Sequence, residues 1–86
     1  MVILVWKTKE KDIKISNLKE LFDVLIDIKQ EDIDKVMGAN LKNLIKWLES
    51  EFPNQVELII HLKGDKGFTL QQIREQMIRD LRTLKL

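Results

Sequence analysis

The chain contains no cysteine. Disulfides, thiolate metal sites and cysteine nucleophiles are therefore excluded, and the core has to hold by packing alone. There is 1 histidine, which leaves no second imidazole for a metal site or a nucleophile relay. The longest apolar run, Met1 to Trp6, is too short to span a bilayer. It also lacks the basic leader and small-residue cleavage site of a signal peptide, so the expectation is a cytoplasmic protein with no membrane association. Charge of one sign is lacking as well: 15 basic residues face 14 acidic ones, for a net charge of +1. No overall field draws the protein to nucleic acid or to an anionic lipid surface.

What is present is a short, globular, charge-rich sequence. Its 86 residues suffice for a single compact domain, 1–86, and the hydrophobic fraction is 44%. A domain of this size buries roughly 60–65% of its unfolded surface, which leaves a thin stability margin. The charged fraction of 34% resembles a thermophile's charge-laced surface. Charge is unevenly distributed, with mildly basic ends flanking an acidic segment at 18–37.

The stretch Asn40 to Pro53 organises the pattern. Leu41, Leu44, Ile45, Leu48 and Phe52 recur at helical spacing, with Trp47 at the edge of the stripe. Asn40 is the expected cap, and Pro53 ends the helix. Before it, Val2 to Trp6 reads as a strand buried on both faces, and Asp12 to Ile15 as its hairpin partner. Asn17 with Glu20 suggests a capping box opening an amphipathic helix over Leu18–Ile28. Gln30 to Met37 reads as a short second helix, stopped by a left-handed Gly38.

Val56 to Lys63 admits two readings. Val56, Leu58, Ile60 and Leu62 alternate as in a strand, but Asn54 with Glu57, the basic end at His61 and Lys63, and Gly64 mark helix termini. Helix is the preferred reading. Thr69 with Gln72 is the clearest capping box, opening a last helix carried by Leu70, Ile73, Met77, Leu81 and Leu84. The expected fold is mainly α, a compact bundle of about five helices behind a short N-terminal β-hairpin. The alternative is α+β, with a small three-stranded sheet that includes 56–62.

Few constellations carry chemistry. Asp27, Glu31, Asp32 and Asp34 form an acidic cluster, but its glycine falls one place late for a calcium loop and Asn43 stands where the bidentate glutamate belongs. It reads as a solvated helix start. His61 reads as a structural residue near a helix end. Gly64-Asp65-Lys66-Gly67 between two helices resembles the G-x-x-G loop of the KH module, in which glycines let the backbone approach phosphate. Asp65 puts a negative charge in that clamp, and the flanking strands of the module are missing. Gly67 to Glu75 resembles a helix opening of MerR-type regulators, without their recognition helix upstream. Arg74, Arg79, Arg82 and Lys85 spread around the last helix with no aromatic between them to stack bases.

The hairpin leading into Asn17-Leu18-Lys19-Glu20-Leu21, then Asn43-Leu44-Ile45-Lys46-Trp47, then Leu58 resembles a family of small, uncharacterised, mostly helical archaeal domains. Leu44 stands where that family has an aromatic. The resemblance implies a compact helical domain and supports the helix at 56–63, but brings no activity and no site residues.

These observations point to a non-enzymatic domain with no cofactor, metal or catalytic residue, acting through a protein partner or as a homodimer, for which the apolar strand at the start offers an edge. The alternative is a small nucleic-acid binder using Gly64, Lys66, Gly67, Arg79 and Arg82.

Overall fold

A computed structural model describes residues 2–63 and 67–86. Among them are two strands, β1 (Leu4–Lys7) and β2 (Asp12–Ile15), a 3-10 turn (Gln30–Asp32), and four α-helices: α1 (Leu18–Asp27), α2 (Ile33–Glu51), α3 (Val56–Lys63) and α4 (Leu70–Thr83). The fold is mainly helical, as the periodicity implies, with one helix fewer than expected.

The hairpin pairs Leu4 with Ile15 and Trp6 with Ile13 in antiparallel register. No glycine shapes its turn. Thr8 does so instead: its hydroxyl accepts from the Lys11 N–H at 3.1 Å and donates to the Lys11 carbonyl at 2.7 Å. Strand β1 is not buried on both faces, contrary to the expectation from its unbroken apolar run. Leu4 and Trp6 point into the core, while Val2, Ile3 and Val5 stay 54%, 49% and 41% exposed. Helices cover only one side of the two-stranded ribbon, so alternate residues face outward.

In α1 the Asn17 side chain accepts from the Glu20 N–H at 2.8 Å. The Glu20 carboxylate reaches one residue beyond the cap, where it accepts from the Ser16 N–H at 2.7 Å and the Ser16 hydroxyl at 2.8 Å. Those two bonds, the backbone one foremost, hold its pKa below the usual carboxylate value. Leu18, Leu21, Val24 and Leu25 are buried, whereas Ile26 faces solvent. At the other end Arg74 of α4 caps the helix, its Nε donating to the Leu25 carbonyl at 2.8 Å.

The expected break at Gly38 does not occur. Helix α2 runs through it for 19 residues, which merges the two helices anticipated at 30–37 and 40–53. Gly38 lacks a left-handed φ. Asn40 is not a cap but a buried mid-helix residue. Pro53 follows the end as expected, with the Phe52 N–H closing onto the Leu48 carbonyl at 2.8 Å. Trp47, placed at the edge of the stripe by the pattern, is 3% exposed, and Phe52 meets its ring edge-on with centroids 5.1 Å apart.

Residues 56–63 are helical, and the strand alternative falls away. Leu58 and Leu62, four apart, are buried, while Val56 and Ile60 face water; the alternation was a helix face sampled every second residue. The first helical bond is accepted by the carbonyl of Gln55, one residue after the expected cap Asn54. Lys63 ties this helix to α2 through Glu49 at 2.6 Å. The reciprocal Thr69–Gln72 capping box opens α4 as anticipated. Ile73, Met77, Ile78 and Leu81 of α4 pack against α1, α2 and α3.

The core therefore gathers Trp6, Leu21, Leu25, Met37, Leu44, Leu48, Met77 and Leu81, all at 0% exposure. Each such side chain contributes about 1.5–3 kcal/mol on burial. No helix among the described residues is long and apolar enough to cross a membrane.

A Cβ at Gly38 would meet its nearest neighbour, Leu70 Cδ1, at 3.7 Å, an ordinary van der Waals contact. Gly38→Ala is therefore expected to stabilise the domain by about 0.5–1 kcal/mol. Thermal unfolding checks this: a lower melting temperature would show that the position needs the missing side chain.

Candidate interaction surface

The outer side of β1 is shaped by α2. Asn40 is the one buried polar side chain among the described residues, at 1% exposure. Its Oδ1 accepts from the Lys7 N–H at 2.7 Å, and its Nδ2 donates to the carbonyls of Lys7 at 2.7 Å and Val36 at 2.8 Å. An amide side chain thus takes both main-chain groups of Lys7, as a neighbouring strand would. Two turns on, the Trp47 indole donates to the Val2 carbonyl at 2.9 Å. The strand edge is occupied near both ends, a common way of protecting an edge from further pairing.

Between those two anchors lies a groove of about 410 Å³. Val2, Ile3 and Val5 form its strand side, and Asn43, Lys46 and Trp47 its helix side. Val5 pairs with Lys14 and Lys7 with Asp12 across the hairpin, so the outward face combines aliphatic residues with charges of both signs.

The residues proposed for nucleic acid do not converge among the described part of the chain. Gly64 and Lys66 lie outside the described residues. Gly67 is exposed with φ of +81°, the left-handed conformation that a glycine turn requires. Arg79 is exposed and lines a cleft with His61 and Phe68. Arg82 lines a different cleft and stands 5.8 Å from the Phe22 ring centroid, a cation–π arrangement. Arg74 is committed to the end of α1. Glu75 and Arg79 stand four apart on α4 in the order that favours an ion pair, yet they are not among the ion pairs of the described residues.

His61 has a partner that sequence reading missed. Its Nδ1 lies 2.6 Å from Asp80 Oδ2, and Gln76 Nε2 donates to the other carboxylate oxygen at 3.0 Å. The pair is 19 residues apart and belongs to different helices, so no local spacing announces it. Three of the four acidic-cluster residues come together, and Asp34 does not join them. Asp27, Glu31 and Asp32 line a cleft of about 380 Å³ beneath the hairpin turn, where Lys9 bonds Asp32 at 3.1 Å. Lys11, Lys29 and Glu10 line the same cleft, so the acids are largely offset by lysines. No group of three metal-binding side chains occurs among the described residues. Trp6 also lines this cleft, but its indole N–H is sealed from solvent and has no partner among the described residues.

Removing the Asn40 amide orphans two main-chain groups of Lys7. Asn40→Ala should cost about 2 kcal/mol or more in urea unfolding, while the exposed neighbour Asn43→Ala should stay within about 0.5 kcal/mol. Equal effects from the two substitutions would remove the special role of Asn40.

Compared with protein-family models, curated proteins and solved structures, the chain has no significant match.

Proposed function

We propose that this chain is a non-enzymatic interaction domain that associates with a second copy of itself through the outward face of the hairpin. The observation that carries this reading is the contiguous aliphatic surface of Val2, Ile3 and Val5, 41% to 54% exposed and continuous with the apolar groove against α2. Isolated exposed aliphatics are ordinary on a protein surface, but a contiguous set marks a contact region.

Charge favours a second copy as the occupant. Lys7 and Lys14 lie on the same face as Asp12, so two copies related by a two-fold axis can set the lysines of one against the aspartate of the other. The net charge of +1 supplies no repulsion between copies. With Asn40 and Trp47 occupying the edge, the contact is made by side chains of the face rather than by extension of the sheet.

Sedimentation equilibrium at micromolar to millimolar concentration tests this. The native chain is expected to shift from monomer to dimer as concentration rises, and Val5→Glu to hold it monomeric. Ile60→Lys, on the exposed side of α3, should leave the equilibrium unchanged. A native chain that stays monomeric at millimolar concentration would refute self-association.

A further inference from the structure

We propose that the cleft between α3 and the first turns of α4 binds a nucleotide, with the heterocycle against Phe68 and the phosphate at Arg79. The aromatic residues provide the first observation. Trp6, Trp47, Phe22 and Phe52 are buried or half-buried, whereas Phe68 is 55% exposed. Phe68 precedes the Thr69 cap, and Ile73 sits at the fourth helical position, the arrangement of a hydrophobic staple. The staple accounts for an apolar residue at this place. It leaves more than half of the side chain open, toward a cleft that Phe68 lines together with His61, Gln76 and Arg79. The sequence showed basic residues on α4 without a stacking partner; the fold brings one beside Arg79.

The second observation is that the polar groups of this cleft are held in place yet not used up. The 2.6 Å contact with Asp80 engages His61 Nδ1 and fixes the ring, with its Nε2 edge in no hydrogen bond among the described residues. Gln76 spends its amide nitrogen on Asp80 and keeps its carbonyl oxygen. Glu75 lines the same cleft and is in no ion pair among the described residues. The Gln76 carbonyl and the Glu75 carboxylate are two acceptor groups beside an aromatic wall, and they suit a ring with an exocyclic amino donor, adenine or cytosine rather than uracil. Arg79, likewise without an ion pair among the described residues, is the one cation lining the cleft and the partner for a phosphate. The volume of about 280 Å³ lies just below the roughly 300–1,000 Å³ of drug-sized ligand pockets. It therefore admits one heterocycle, with sugar and phosphate extending over the rim.

The same chemistry is offered by a free nucleotide and by one unit of a single strand, and a titration followed by amide shifts separates them. Adenosine monophosphate is expected to shift Phe68, Gln76 and Arg79, and uridine monophosphate to do so more weakly. Inorganic phosphate alone should leave these signals in place. An oligoadenylate that binds more tightly than the monophosphate, with a steep salt dependence, assigns the site to a strand; equal affinity assigns it to the free nucleotide. Phe68→Ala should weaken binding by about tenfold or more, and Phe68→Trp should retain it, which guards against loss through misfolding. Arg79→Ala should weaken binding and flatten its salt dependence. The proposal is overturned by the absence of shifts at millimolar nucleotide, by equal shifts with inorganic phosphate, or by Phe68→Ala binding as the native chain does.

Discussion

Asn40 joins the two parts of this molecule that have no covalent reason to stay together. A two-stranded hairpin is marginal in water and needs a third element along it. Here α2 supplies that element with a side chain: one amide satisfies the N–H and the carbonyl of Lys7 and also the Val36 carbonyl of its own helix. The Trp47 indole repeats the device at the Val2 carbonyl. Between these two attachments Leu4 and Trp6 are pressed into the core, and Val2, Ile3 and Val5 are left outside it. The outward aliphatic face thus follows from the way the inward one is held.

The helices share the remaining work. Helix α2 meets the hairpin, α3 and α4, and α4 meets all three other helices. Apolar packing accounts for most of this, but the polar ties are placed where helices would otherwise slip. Arg74 covers the end of α1, Lys63 reaches Glu49, and His61 meets Asp80. The last of these is 33% and 15% exposed at its two side chains, so it is screened less than a surface pair. It also fixes the imidazole in one orientation at the mouth of a cleft, which an unanchored histidine would not be.

Much of the fold was legible in the residue order because its signals are local. The Thr69–Gln72 box, the Asn17 cap, the proline after Phe52 and the amphipathic stripes of α1 and α4 all act within a few residues of themselves, and each appears where its spacing indicates, except that Ile26 and Leu84, at the ends of the two stripes, face solvent because no neighbouring element covers them. Gly38 and Asn40 misled for the same reason. A glycine with an asparagine two residues on is a strong stop-and-restart signal in isolation, but the helix continues because Met37 and Leu44 on either side are both required in the core and Asn40 finds its partners on the hairpin. The candidate sites were less legible still. His61, Phe68, Gln76 and Arg79 come from two helices and the turn before one of them, and nothing in their spacing declares that they share a cleft.

Residue order alone therefore decided helix against strand at most positions, the absence of cysteine chemistry, and the stripes that had to be hidden. Those are consequences of backbone preference and of the hydrophobic pattern, both short in range. Tertiary structure alone decided that two helices become one, that the first strand buries a single face, and which carboxylate and aromatic come to stand beside the single histidine. Each of those outcomes depends on which surface approaches which, and a buried polar group such as the Asn40 amide finds its partner 33 residues away only once the chain has closed on itself.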